Sequence, residues 1–282
     1  MDFLTQILAP SRPTAIVDVG ANPIDGDPPY KAMLAAGLCE VVGFEPQPEA
    51  LVRLQAKAGP RERYLPQALG DGTSRTLHVC GIEGMTSLLV PDPAQLALFN
   101  LFPIWGEVKN TIPVATHRLD DVAEIAHMDF LKMDIQGCER EVLLNGKHKL
   151  AETVAVQTEV SFVPLYKDQP SFGEIDVLMR ELGFLPHCFA DLKVWPLAPT
   201  VVSGQPNRGL RQLLEADMVY VRDFTRAGNM SAEQWKHLAL IAHHFYRSAD
   251  LAARALNMLA ELGTVPADAS ERYLSSLGRK PN

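Results

Sequence analysis

Cysteine is scarce in this 282-residue chain: Cys39, Cys80, Cys138 and Cys188 are its four, and no two form a CxxC pair. That excludes a disulfide scaffold and a cysteine-built zinc site, and leaves the thiols as small apolar groups. Long apolar runs are missing as well. Nothing approaches the ~18 residues of a membrane span, and the opening MDFLTQILAP lacks the basic start and apolar stretch of an export signal. A cytoplasmic location and no membrane partner are the resulting expectations. The chain has no Lys/Arg cluster either. Its 26 basic and 34 acidic residues give a formal net charge of −8, which offers no footprint for a phosphate backbone. Nucleic acid is therefore not expected as a partner, and a small molecule is. No His/Asp/Glu group has metal-ligand spacing, so no metal is expected.

What the chain does have is an ordinary globular balance, 47% hydrophobic and 21% charged, at a length that suits one large α/β domain with an appendage. Short β-branched runs at 14–19, 40–45, 64–69, 130–134 and 154–159 predict buried strands, and 185–189 and 218–222 predict two more. Helical spacing between them, at 30–36, 48–57, 139–144 and 172–182, predicts a Rossmann-like, doubly wound, mostly parallel sheet. Segments 77–80 and 108–115 read as further strands, antiparallel ones, around a Pro-rich excursion. Beyond Arg222 the pattern changes. Trp235, Leu238, Ala239, Ala242 and Phe245, then Leu251, Ala255, Met258, Leu259 and Leu262, recur at helical spacing. The expected organisation is a domain over 1–222 and a helical hairpin over 223–282. The hairpin's apolar faces must be covered by the domain or by a second subunit in a homodimer; a partner-binding hairpin is the alternative.

In an open parallel sheet ligands bind beyond the carboxyl ends of the strands. The first of those ends carries Asp18-Val19-Gly20-Ala21-Asn22, with a glycine where backbone must approach a ligand. Glu45, at the second strand's end, follows Gly20 by 25 residues. That spacing suits a carboxylate accepting both hydroxyl hydrogen bonds of an adenosine ribose. A nicotinamide fold shares both features but shows GxGxxG, of which only Gly20 is present.

With Val17-Asp18-Val19-Gly20-Ala21-Asn22, Gly43-Phe44-Glu45-Pro46-Gln47-Pro48 and Leu131-Lys132-Met133-Asp134-Ile135-Gln136-Gly137-Cys138-Glu139 in this order, the chain resembles the FkbM family of S-adenosylmethionine-dependent methyltransferases. Arg118-Leu119-Asp120-Asp121 resembles the turn before that last strand. The resemblance spans about residues 14 to 222 and implies a class I methyltransferase fold with S-adenosyl-L-methionine as cofactor. It implies that Asp18, Gly20, Ala21 and Asn22 line the methionine end, Glu45 and Pro46 the ribose, and Ala68 and Leu69 the adenine, with Asp134 near the sulfonium. Two positions depart from the family pattern. Ile24 stands where a second glycine is usual, in a long 23–29 loop that suggests a reshaped cofactor lid. Gln136 stands where an acid is usual, and an amide cannot act as a base. One motif misleads: Asp27-Pro28-Pro29-Tyr30 resembles the signature of amino-methylating DNA methyltransferases, but that signature belongs after the fourth strand, not the first.

Methyl transfer needs alignment of donor and acceptor, plus removal of a proton when the acceptor is a hydroxyl. Asp134 is the best-placed base, Glu159 at the fifth strand's end comes next, and His117 and His187 are loop candidates. Glu139, on the first turn of a helix, reads as a macrodipole acid. The resemblance points to O-methylation of a small hydroxylated acceptor, a sugar or secondary metabolite. Two other classes stay open: a non-catalytic cofactor-binding module acting through its tail, and a nicotinamide-dependent oxidoreductase.

Overall fold

A computed structural model describes residues 3–22 and 26–277, so Ile24 lies outside the described residues. The strands are β1 (Thr14–Val19), β2 (Cys39–Phe44), β3 (Glu62–Leu65), β4 (Ala68–Leu69), β5 (Ser74–Cys80), β6 (Val108–His117), β7 (Phe130–Met133), β8 (Ala155–Ser161), β9 (Phe184–Val194) and β10 (Leu213–Arg222). Seven of them form one sheet in the order β3-β2-β1-β7-β8-β10-β9. All neighbours in it are parallel except β10, which runs antiparallel to both β8 and β9. That is a Rossmann-like sheet with one reversed strand near its edge. The single strand expected over 64–69 is divided. Pro66 has no N–H to give to a ladder, so β3 ends at Leu65 and β4 joins β6 and β5 in a small separate sheet.

The helices are α1 (Phe3–Leu8), α2 (Lys31–Ala35), α3 (Pro48–Lys57), α4 (Pro93–Leu96), α5 (Phe102–Trp105), α6 (Glu139–Leu144), α7 (Lys147–Leu150), α8 (Phe172–Glu181), α9 (Ala232–His244), α10 (Ala249–Glu261) and α11 (Ala269–Leu277). Strand alternation sends Val17, Leu131, Met133 and Val156 to one face of the sheet, where Val142, Leu143, Ile175 and Met179 of α6 and α8 cover them. Ile16, Phe130, Ala155 and Val219 point the other way. On that side α2 is only five residues long and buries Met33 alone. The remaining area is covered by the C-terminal helices, through Trp235, Leu238, Ile241, Leu256 and Leu259.

The tail therefore forms a layer of the α/β sandwich and shares one core with the sheet. It contains three helices where two were expected, because α11 packs on α10 and α1. Its apolar faces are thus covered within the chain. Ser231 starts α9 with a capping box, its hydroxyl accepting from Gln234 N while the Gln234 side chain accepts from Ser231 N.

At the opposite sheet edge from the strand carboxyl ends, α9 carries the fully buried His237. Its Nδ1 lies 3.0 Å from Thr14 Oγ1, and its Nε2 lies 3.8 Å from Asp129 and 3.6 Å from Glu233. Arg12 holds Asp129 by two hydrogen bonds, of 2.5 and 3.0 Å. Burial pushes the imidazole below its ordinary value, with Asp129 opposing and Arg12 assisting. A base with a depressed folded value takes up its proton more readily when unfolded, so its contribution is complete above the usual ~6.5 and is lost as pH falls below it. Stability to urea should drop between about pH 7 and 5, and His237→Gln should flatten that slope. Trp235→Ala should cost about 3–5 kcal/mol in the same titration. Deleting 228–282 should uncover the sheet and abolish the soluble monomer, as read by mass in solution.

Candidate active site

The carboxyl edge of the sheet is organised by a close approach between the ends of β1 and β7. Asp134 N donates to Val19 O at 3.1 Å, and Gly20 N and Ala21 N both donate to Phe44 O at 3.0 Å. Gly20 adopts φ +78°, and a Cβ there would stand 2.1 Å from Asp134 O. Only glycine satisfies both conditions.

A cavity of about 440 Å³ opens beside this turn. Gly20, Asn22, Glu45, Pro46, Ala68, Leu69 and Asp134 all line it. Glu45 is 3% exposed; its Oε1 accepts from Gln47 N at 2.8 Å, which fixes the carboxylate at the cavity wall. Burial raises its pKa, and the Gln47 N–H opposes the shift. Two lining groups were not legible in the sequence. Gln67 Oε1 and Trp195 Nε1 are buried without a hydrogen-bond partner, one an acceptor and one a donor. An unsatisfied buried polar atom costs about 1–3 kcal/mol, so both are positions a ligand would satisfy. A buried carboxylate on the wall, a cradle closed to any Cβ and an unpaired amide oxygen beside Ala68 fit an adenosine-bearing cofactor.

Acids converge at the far end. Gln136, in the left-handed region at φ +56°, donates from Nε2 to Asp134 Oδ1 at 2.9 Å and to Glu159 Oε1 at 3.5 Å. Tyr166 OH donates to Gln136 Oε1 at 3.4 Å, and Ser87 Oγ donates to Gln136 O at 2.7 Å. The departure at 136 is thus an amide that orients the Asp134 carboxylate and bridges it to Glu159. Glu159 is buried and lines neither cavity. Its pKa lies well above the usual carboxylate range, first from burial and then from Glu215 and Asp134. Glu215 is also raised by burial, against the Lys193 ammonium 2.9 Å away. Glu139 accepts from Ile135 N and Gly137 N at 3.1 and 3.2 Å, and so holds the turn after β7 in addition to starting α6.

A second cavity, about 470 Å³, adjoins the first at Asn22, Asp134 and Lys193. Asp18 and Ala21 line this one and not the first. The Asp18 carboxylate is turned toward the tail side, accepting from Tyr30 OH at 2.5 Å and lying 3.5 Å from Lys132 Nζ. Burial raises its pKa, with Lys132 opposing. Tyr30 of the misleading Pro-Pro-Tyr triplet is therefore a buried partner of Asp18. His117 pairs with Leu69 through the small sheet, and its exposed side chain lines neither cavity; His187, its pKa lowered by burial, also stays outside both. Among the described residues no group of three or more His, Cys, Asp or Glu side chains could hold a metal ion.

The model of the FkbM methyltransferase domain matches residues 18–186, more than half of the chain. The chain belongs to the FkbM methyltransferase family. It is 29% identical over 176 residues, 58% of this chain and 70% of the other, to the 2-O-methyltransferase NoeI of Sinorhizobium fredii. Solved structures similar to this FkbM methyltransferase include a magnesium protoporphyrin IX methyltransferase from Synechocystis with bound SAM (11% identity, 78% of this chain and 76% of that one, TM-score 0.38). Another is an FkbM methyltransferase from Methylobacillus flagellatus (15% identity, 74% of this chain and 43% of that one, TM-score 0.37). The cofactor of this family is S-adenosylmethionine.

Replacing Glu45 with Ala removes a charged acceptor from the ribose hydroxyls. Calorimetry with S-adenosylhomocysteine should show binding weakened by about 1.5–3 kcal/mol; unchanged affinity would remove Glu45 from the cofactor site.

Proposed function

We propose that this FkbM methyltransferase methylates a hydroxyl of a small acceptor, with Asp134 as the residue that positions that hydroxyl and takes its proton. The observation that carries the reading is the place of Asp134: it is the carboxylate on the wall of both cavities, with Gln136 holding one of its oxygens at 2.9 Å. When bound, S-adenosylmethionine supplies a methyl group already activated by a cationic sulfonium. The protein's contribution is then alignment and deprotonation. Asp134 accepts the hydroxyl hydrogen, and Gln136 keeps that carboxylate from rotating. The hydroxyl's proton would pass to Asp134 as its oxygen takes the methyl, with the methyl–sulfur bond breaking and its electron pair left on a neutral thioether.

Of the other base candidates, Glu159 lies behind Gln136 with a proton held more firmly than in an ordinary glutamate, and His117 lies outside both cavities. Similarity to a 2-O-methyltransferase supports oxygen as the receiving atom. The assigned cofactor contacts are Gly20, Asn22, Glu45, Pro46, Ala68 and Leu69, with Asp18 and Ala21 supporting the same turn from the second cavity. Residues 1–222 carry these groups, and 223–282 cap the sheet behind them.

Asp134→Asn keeps the shape and removes the basicity. Turnover should fall by about two to four orders of magnitude, while affinity for S-adenosylhomocysteine, measured by calorimetry, changes little. Lost affinity with turnover intact at saturating cofactor would make Asp134 a binding residue, and Glu159→Gln the next variant to assay.

A further inference from the structure

Two segments outside the motifs, 98–105 and 195–212, are stitched into one unit. Ala198 N donates to Leu98 O at 2.8 Å, and Asn100 Nδ2 donates to Thr200 O at 2.6 Å and to Pro206 O at 3.2 Å. Trp195 N donates to Gln212 O at 3.0 Å, which closes the second segment on itself. Inside the unit the Trp195 ring lies 5.2 Å from that of Phe102 and 5.8 Å from that of Trp105. Phe99 and Phe102 belong to a core cluster separate from the two that cover the sheet. The outside of the unit is apolar too. Ile104 is 67% exposed, Val201 and Leu210 52%, Leu197 46% and Leu98 44%. Exposed apolar side chains scattered singly are ordinary, but five of the seventeen large ones among the described residues fall in these two short segments. The cross-links at Leu98, Asn100 and Trp195 gather them on one unit, and a patch of that kind marks a contact surface.

Charge narrows what the contact is. The chain has a formal net charge of −8, yet the two segments contain no acid and two cations, Arg208 and Arg211. Both arginines are exposed, and among the described residues neither forms an ion pair. Exposed aliphatic side chains, free guanidinium groups and the half-buried indoles of Trp105 and Trp195 thus occur together on one unit. That combination matches the layering of a bilayer surface, where hydrocarbon lies below anionic headgroups and indole rings sit at the boundary. Contact of this kind needs no spanning helix, and among the described residues no helix is long and apolar enough to be one.

We infer that this unit docks the protein on a lipid surface with anionic headgroups, its aliphatic side chains entering the boundary layer while Arg208 and Arg211 meet the headgroups. Phe102, Trp105 and Trp195 line the first cavity from the same unit, so docking sets that cavity beside the lipid. The inference is independent of which atom is methylated and of which residue takes the proton.

The test is co-sedimentation of the full chain with vesicles of phosphatidylcholine, alone and with about 30% phosphatidylglycerol. The anionic vesicles should bind at least about tenfold more tightly, and raising salt from about 0.05 to about 0.5 M should remove most of that preference by screening. Because the chain as a whole is negative, a preference for anionic lipid has to come from a local basic patch. Arg208→Gln and Arg211→Gln should each weaken binding about fivefold, the effect of one basic side chain at an anionic leaflet. Ile104→Ser and Leu210→Ser should each weaken it by about five- to tenfold. Val52→Ser, at a similarly exposed apolar position on α3, should leave it unchanged. Calorimetric affinity for S-adenosylhomocysteine should be the same in all five variants, which separates a contact role from a loss of fold. Equal binding to both vesicles, binding to neither, or equal losses at Val52 and Ile104 would each overturn the inference. So would a dimer, read by mass in solution, that Ile104→Ser dissociates, because the patch would then belong to a second copy of the chain.

Discussion

The approach of two strand ends governs this molecule's active edge. Val19 O and Asp134 N meet at 3.1 Å, and the chain then has to turn away within one residue, directly over the Asp134 carbonyl. Gly20 makes that turn in the left-handed region with no room for a side chain. From this contact follow the course of the chain through Gly20, Ala21 and Asn22, the place of Asp134, and the meeting of two cavities at one carboxylate. A methyl at Gly20 would drive β1 and β7 apart, and with them the walls of the two cavities.

Electrostatics at this edge are managed by burial and by amides. Burial raises the proton affinity of Glu159 and Glu215, and the neighbouring Asp134 carboxylate adds to both shifts. Gln136 enters that group as a neutral donor shared between two acids, at the cost of a left-handed backbone that a non-glycine residue adopts rarely. An acid at the same position would have added a further negative charge to a site already crowded with them. The amide instead stabilises the arrangement and leaves Asp134 as the carboxylate that both cavities can reach.

The C-terminal helices connect packing to chemistry. A sheet of this kind needs both faces covered, and the short α2 cannot cover the second face. The helices after Arg222 do so, and the turn that follows α9 delivers Phe245 and Tyr246 to the wall of the second cavity. Stability of the sheet and the shape of the second cavity are therefore properties of the same segment.

Much of the architecture was readable along the chain. Buried parallel strands must be short and apolar on both faces, so β1, β2, β7 and β8 stood out from their β-branched runs, and the spacing from Gly20 to Glu45 follows from one βαβ unit. The three-helix tail was half visible, because Trp235 to Leu262 repeat at helical spacing while the amphipathic α11 buries little beyond Ala269 and Tyr273. What a linear reading could not reach were groups joined only across the sheet. Asp18 belongs to the first motif, yet strand alternation points it at Tyr30 and Lys132. Gln67 and Trp195 meet one cavity from segments about 130 residues apart, and His117 lies away from both. Tyr246 touches Gln157 across 89 positions. Residue type and local spacing determine which elements form and where ligand-binding turns fall; the direction a side chain faces, and which distant partner satisfies it, are decided only when the sheet closes and its two faces acquire different neighbours.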